Sequence, residues 1–600
     1  MKVNFIRIGL ILFMLMQSVI VLSQDHPDST QTKKTSLTKK AYKEGLKAIT
    51  ARQKDTVRNE SSTQANAIYQ GKIIRHIYVQ SIDLKRSIYD STKRTKKFVT
   101  DIADALHGTT RESVIRNHLF IEENKPLNPY ELADNERYLR DLDFILDSRI
   151  LASPVPGSDD SVDVTITTRD VFSLGINVGG SIPTAPEISL YDVNLFGRGQ
   201  RVGVTTLVDP DRDPAVGYNA SYRKSSIFGS LASLEFAYSQ LNGGRSYGEE
   251  TEFAYFVRLT RPLVSPYSRL AGGLEFSNNW SENVYSEPDS SFLKYNYKIR
   301  DGWLGYNIGI NSEASNRNRH MISARFFDGY YLDQPDQEEY SAEQRYNNTT
   351  GLLGQYTFYQ QNYYKTRYVF GFGRTEDVPY GVSFSLIGGY MRQQGLKRPY
   401  AGVDWAGSFA NRKGNFYLFT FQTGLYYEDQ SVSDMVVNTT VSYVTRALNL
   451  NRYKMRAYAL LGYAQLFDSE INAPIEIDDS EVRGFDADSV FGDYKARIRL
   501  EAVLYTPWEL FGFRFAPFLG VDDAIIHCPG CEEESRVNVL GFSAGFRTRN
   551  ENLIFGTMEV RLNYIPETPV TPSQFSFEFK QRLRVKNTSK FVKPPNIVRY

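Results

Sequence analysis

Two groups of residues have types and spacings that chemistry uses. Gly541-Phe-Ser543-Ala-Gly545 has the spacing of a nucleophile elbow, in which a serine is raised on a sharp turn between a strand and a helix. A serine nucleophile also needs a base, and the sequence holds six histidines: His26, His76, His107, His118, His320 and His527. Leu540, Phe542, Ala544 and Phe546 alternate through the same stretch, however, and no helical spacing follows, so it reads as a strand. Cys528-Pro-Gly-Cys531 beside His527 is the second group, open to three chemistries: a redox pair, half of a zinc site or a small loop disulfide. No second ligand pair stands nearby, which argues against zinc. Asp336 to Glu339 and Glu532 to Glu534 are carboxylate runs of the kind carried by solvated loops. No catalytic set, metal site or cofactor is expected from any of these.

The elements that must carry such residues follow from composition. The chain has 600 residues, with 70 Lys and Arg against 69 Asp and Glu, so no polyanion-binding surface is announced and nucleic acid is not an expected partner. Hydrophobic residues make up 41%, Tyr (40) and Phe (37) are abundant, and only two Cys occur. That profile excludes a disulfide scaffold, a helical membrane protein and a largely disordered chain. It suits an antiparallel barrel whose two faces differ.

Lys2 and Arg7 precede an apolar run from Ile8 to Leu22, and Val21-Leu-Ser-Gln24 fits a cleavage site, so residues 1–23 read as a secretory signal. A membrane anchor is the alternative, but the run is shorter than the roughly 20 residues a spanning helix needs. Residues 24–71 are polar and basic, with Lys33, Lys34, Lys39, Lys40, Lys43 and Lys47, and read as a tether. Residues 72–169 change to a small α+β pattern. A strand beginning at Lys72 places Ile73, Ile77 and Val79 on one face. Thr109 and Glu112 form a capping-box pattern ahead of Val114, Ile115 and Leu119. Asn128 caps a second helix that has Pro129 at its first position and Leu132, Leu139 and Leu142 as its buried stripe. Two strands close the unit, near Arg149 and from Ser161.

From residue 170 to 586 short alternating runs are separated by turn residues. Ala496, Ile498, Leu500, Ala502 and Leu504 face one way, while Lys495, Arg497, Arg499 and Glu501 face the other. Phe575, Phe577 and Phe579 alternate with Ser576, Glu578 and Lys580. A charged face backed by aliphatics fits a polar lumen and a lipid-facing exterior. Such a sheet must close, because a bilayer leaves no partner for free backbone groups. The expected class is therefore mainly β: a transmembrane antiparallel barrel preceded by one small α+β domain, with up to 20 strands by count. An exported chain of this kind points to a bacterial outer membrane, with the α+β unit in the periplasm.

These residues resemble the BamA/TamA outer-membrane assembly family. Asn135-Glu-Arg-Tyr-Leu-Arg-Asp-Leu-Asp-Phe-Ile is similar to the second helix of a POTRA domain, and Asn194-Leu-Phe-Gly-Arg-Gly to an early barrel segment. Val482-Arg483-Gly484-Phe485 resembles the tip of the family's loop that folds back into the lumen, and five candidate strands follow it here as there. The resemblance implies 16 strands and a latch in which Arg483 is held by Glu501, within Arg499-Leu-Glu501 ahead of Thr506-Pro507. An arginine inside a barrel needs such a carboxylate, since an unpaired buried charge costs roughly several kcal/mol; a loop arginine exposed to solvent is the alternative. The family's second acidic partner would fall at Gly520, a departure, with Asp522 two residues on and on the same face.

Counting from that loop places Cys528 and Cys531 in an extracellular loop, where export favours a disulfide. The resemblance further implies an assembly, insertion or translocation factor whose POTRA edge binds clients by strand addition and whose seam opens. Its partners would be outer-membrane lipids, unfolded outer-membrane or secreted client proteins, and periplasmic or lipoprotein subunits. Gly175, Gly179 and Gly180 weaken the first strand. Residues 587–600, with Pro594-Pro595, form a tail that departs from the family pattern. The alternative function is an outer-membrane pore or dedicated secretion channel gated by the inward loop.

Overall fold

The structure is a computed structural model. It describes residues 60–61, 63–82, 86–87, 90–94 and 108–599, apart from 182–183, 244–250, 310–316, 341–342, 370, 412, 472–473, 486–489, 511, 529–534, 551–552, 555, 567–573 and 583–591. The signal segment and most of the tether lie outside the described residues.

Among the described residues the α+β unit has a three-stranded sheet, two α-helices and a small two-stranded pairing of Arg86–Ser87 with Asp90–Arg94. β1 (Ile73–Ile82) pairs in parallel with β3 (Ser161–Asp170), and β2 (Ile145–Pro154) pairs antiparallel with β3 on its other side. Val162, Val164 and Ile166 alternate inward along β3, as their period-2 spacing requires, and meet Ile74, Ile77, Leu132 and Leu139 in one core. Two details differ from the sequence reading. The register between β1 and β3 shifts between Ile74 and Ile77, which turns Ile74 into the core and leaves Ile73 exposed. Helix α1 (Glu112–Arg116) is a single short turn capped by Arg111 with no side-chain cap bond, so the Thr109 capping box does not form. Helix α2 (Pro129–Asp141) follows its signals: the Asn128 side chain accepts from the Tyr130 N–H and Pro129 sits in the first turn. The end of the predicted tether is structured too. Asn66 bonds both the Ile150 carbonyl and the Ala152 N–H, and Glu60–Ser61 pairs with barrel residues Lys365 and Tyr364.

Twenty antiparallel strands make the barrel. It opens with β4 (Leu174–Ser181), β5 (Ala185–Asp192), β6 (Gln200–Val208), β7 (Val216–Lys224), β8 (Ser233–Gly243) and β9 (Thr251–Arg261). Strands lengthen through β10 (Leu270–Glu282), β11 (Asn296–Ile308), β12 (Asn318–Asp333), β13 (Thr349–Thr366) and β14 (Glu376–Gln393). β15 (Leu396–Ala410), β16 (Phe416–Glu428), β17 (Ser431–Val444) and β18 (Tyr453–Phe467) lead to a long connection, 468–493. β19 (Tyr494–Tyr505), β20 (Phe513–His527), β21 (Arg536–Asn550), β22 (Thr557–Tyr564) and β23 (Phe575–Arg582) complete the ring. The ring has the 20 strands that counting along the sequence allowed, and not the 16 that the resemblance implied: five strands follow the long connection as expected, and fifteen precede it. A wider ring leaves room for the segments found inside it.

Alternation sorts the two faces. Ile498 and Leu500 point out and Phe577 is 66% exposed on the outside, while Arg497, Arg499 and Glu501 point in. Exposed Leu304, Ile322, Leu352, Leu386, Leu461 and Leu519 continue the outer band, a surface built for hydrocarbon and not for water. Among the described residues no helix is long and apolar enough to cross a membrane.

The ring is uneven. β4 and β23 have eight residues each, reaching about 26 Å, whereas the 18 residues of β13 or β14 reach about 60 Å. The short strands meet at the seam. β23 is hydrogen-bonded to β4, so the ring closes between two eight-residue strands.

Candidate functional site: the lumen

The tip of the long connection, 481–485, folds inward instead of standing in solvent. Val482 and Phe485 are fully buried against Ile475, Ile477, Ala524 and Ile526, so an apolar core holds the loop tip against the wall. A tight turn positions the charged residue between them: the Val482 N–H donates to the Asp478 carbonyl and the Phe485 N–H to that of Val482. Gly484 sits at φ +81°, a conformation L side chains rarely adopt, and a Cβ there would collide with Asn563 and Ser576. Its N–H donates to Asp479 Oδ1 at 2.7 Å.

Arg483, 3% exposed, spans two carboxylates. Nε and Nη2 donate to Asp522 at 2.6 and 2.9 Å, and Nη1 donates to Glu501 Oε2 at 2.6 Å. The Arg483 backbone N–H also donates to Asp522, at 3.1 Å. Asp522 therefore stands where the sequence suggested an acidic partner two residues beyond Gly520. Gly520 pairs directly with Glu501 across β19 and β20, and the space above it holds the guanidinium.

The pair belongs to a ring of alternating charge. Glu501 also accepts from Arg547 at 2.6 and 2.8 Å, Arg547 donates to Glu559 at 2.7 Å, and Glu559 faces Arg561 at 3.6 Å. Arg561 donates to Glu578 at 2.6 Å, Glu578 pairs with Lys580, and Lys580 pairs with Asp479 at 2.6 Å. Asp479 returns the path to Gly484. The loop tip is thus tied to the inner faces of all five strands after it, and each carboxylate faces at least two cations. Such geometry holds a loop, because several charge-assisted hydrogen bonds fix its tip at once.

A second set of charges closes the mouth at the α+β unit. The polar side of α2 is buried as fully as its apolar stripe, including Asp134, Glu136, Arg137 and Arg140. Arg140 holds Asp377 of β14 bidentately at 2.8 and 2.9 Å and bonds Glu136 at 2.7 Å. Lys365 of β13 reaches the same Glu136 at 2.7 Å. Asp134 accepts from Arg317 at 3.0 Å, and the Arg137 guanidinium lies over the Tyr363 ring, 4.1 Å from its centroid. Sequence reading missed this set, since charged residues on a helix face normally mean solvent. The available signal was that charge surrounds α2 outside its leucines. Between α2 and the latched loop a cavity of about 660 Å³ remains, bordered by Arg140, Asp377, Arg483, Glu501, Arg547 and Lys593.

The remaining candidates are scattered. Ser543 faces inward on β21, a continuous strand with no elbow, and among the described residues no histidine hydrogen-bonds to it. His118 is in the core of the α+β unit, His320 bonds Tyr356 on the outer face, and His527 bonds Asp493 at 2.6 Å. His26 and His107 lie outside the described residues. Cys528 is disulfide-bonded in the connection after β20; Cys531 lies outside the described residues.

No protein-family model matches the chain, and no curated protein matches it. Among solved structures it is similar to BamA from Haemophilus ducreyi lacking POTRA domains 1–3, at 11% identity and a TM-score of 0.30 over 93% of this chain and 94% of that one. CdiB from Acinetobacter baumannii is similar at 11% identity and a TM-score of 0.40, over 91% of this chain and 80% of that one. CdiB from Escherichia coli is similar at 12% identity and a TM-score of 0.39, over 92% and 96%.

Proposed function

We propose that the chain is an outer-membrane protein assembly, insertion or translocation factor of the BamA/TamA type. The observation that carries this reading is the Val482-Arg-Gly-Phe turn, folded into the lumen with Arg483 shared between Glu501 and Asp522, five strands from the last. A latched inward loop next to a seam of short strands is what a barrel needs if its wall is to open while its interior stays organised. Opening frees N–H and C=O groups on β4 and β23 that template a client strand. Short strands also fall below the usual hydrocarbon thickness of about 30 Å, so the bilayer thins beside the seam and insertion there costs less.

The α+β unit, in this reading a periplasmic POTRA domain, receives the client. Most of its sheet edge is capped: Asn124 and Lys125 bond Ile74, and Asn66 and Glu136 bond β2. Residues 78–82 of β1 pair only with β3 among the described residues and present the edge for strand addition. A standing pore is less well supported, since α2, the latched loop and residues 592–599 occupy the lumen.

The test is folding of an unfolded outer-membrane barrel into liposomes containing the purified protein, beside Arg483→Ala. Acceleration that the variant loses is expected. No acceleration, together with steady conductance in the same liposomes, would replace this reading with the pore.

A further inference from the structure

Residues 592–599 follow β23, yet they lie inside the barrel against the wall on the far side of the ring from it. Their contacts run along the inner faces of β12 to β17. Val592 is buried in a patch of Leu263, Ala271, Met321, Tyr359 and Ala406 near the α+β end. Lys593 Nζ faces Asp404 at 3.6 Å. Arg325 donates to the Pro595 carbonyl and to Asn596 Oδ1, both at 3.0 Å. Ile597 packs with Leu353, Ile387, Met391, Tyr400 and Tyr426. The Val598 N–H donates to Tyr400 Oη at 2.8 Å, its side chain joins the core of the latched loop, and the Arg599 carbonyl accepts from Asn438 at 3.4 Å.

The wall is shaped for this occupant. Arg325 is fixed by a bidentate pair with Asp301, at 2.9 and 2.6 Å, so its remaining N–H groups point into the lumen as donors for a carbonyl. Tyr400 lies over Gly402 and Gly424, where any Cβ would crowd its hydroxyl, and that slot sets the hydroxyl against the segment's backbone. Apolar recesses flank these polar points at each end. The segment is complementary: Pro594 and Pro595 bring no N–H that would go unpaired in the lumen, the lysine meets a carboxylate, and the aliphatics fill the recesses.

We propose that the inner wall of β12–β17 is a binding track for an extended polypeptide segment, filled here in cis by residues 592–599. Its ligand class is a segment in which a basic residue is followed by prolines, a polar residue and two aliphatics. A free segment of that pattern takes the track when the chain's own copy leaves. The inference stands apart from the assembly reading, since it concerns binding and not insertion or conductance.

A fluorescent peptide of residues 590–600, read by anisotropy, tests it on detergent-solubilised chain lacking residues 591–600. Saturable binding is expected, at least tenfold weaker to the full chain, because a tethered copy competes at roughly millimolar effective concentration. Asp404→Asn with Arg325→Gln in the shortened chain should weaken binding tenfold or more. Absent binding to a shortened chain that keeps its folded gel mobility overturns the proposal, as does equal binding of a scrambled peptide. A second measurement needs no truncation: Val598→Cys, with Cys528→Ser and Cys531→Ser, should be shielded from a bulky maleimide and become labelled when peptide is added. Labelling at full rate without peptide overturns the proposal too.

Discussion

The guanidinium of Arg483 occupies the space that a side chain on Gly520 would need. A Cβ at residue 520 would collide with Nη2, and Glu501, the cross-strand partner of Gly520, receives Nη1. The absent side chain is what lets an arginine from the loop lie between two strands' carboxylates. Gly520→Val should therefore release the loop much as Arg483→Ala does, and the double variant should be no worse than either alone. Each single change is expected to cost a few kcal/mol, since the hydrogen bonds lost are charge-assisted and worth about 1.5–3 kcal/mol each. Limited proteolysis within 468–493 and the thermal midpoint of the gel-mobility shift would measure it; additive losses would separate the two residues.

Arg140 and Asp377 predict an asymmetry at the mouth. Asp377→Ala takes from the buried Arg140 its bidentate carboxylate, whereas Arg140→Leu with Asp377→Leu removes both charges. The double change should be milder than the single one, since a buried guanidinium that loses its bidentate carboxylate keeps its desolvation cost. Hydrogen exchange across α2 is the readout, with the single variant exchanging faster.

Acid and base act oppositely on the α+β unit. Burial lowers His118 to about 4, so the stability from keeping it neutral is present above its ordinary value of 6.5 and lost as pH falls towards 4. Burial, with Asp134 and Glu122 nearby, pushes Glu131 up to about 7, so its contribution is full below 4.5 and lost as pH rises through 7. Glu131→Gln should then slow exchange of α2 amides at pH 8 by about tenfold or more and leave it unchanged at pH 4.5. A difference that persists at the lower pH would assign the effect to packing.

The seam should be the least protected part of the barrel. Amides of β4 and β23 are expected to exchange faster than those of β13 and β14 in the detergent-solubilised protein, by at least tenfold. Equal protection would mean that the first and last strands are as firmly paired as the rest.

Local rules were readable along the chain because they depend on neighbours in sequence. Period-2 alternation at 495–504 and 575–580 decides which side chains face hydrocarbon, and the Asn128-Pro129 start of α2 needs nothing beyond its own first turn. The loop motif and its Glu501 partner could also be read, since alternation alone turns Glu501 inward. Counting alternating runs reached the 20 strands of the ring, where the resemblance implied 16. The burial of Asp134, Glu136, Arg137 and Arg140 was not readable: whether a charged helix face meets water or a matching wall is set by docking, and Asp377, Lys365 and Arg317 lie far along the chain. The path of residues 592–599 belongs to the same class. Prolines in the sequence say that this segment cannot be a strand, but only the closed barrel supplies Arg325, Tyr400 and Asp404 on one surface, and that convergence of distant residues puts the segment inside.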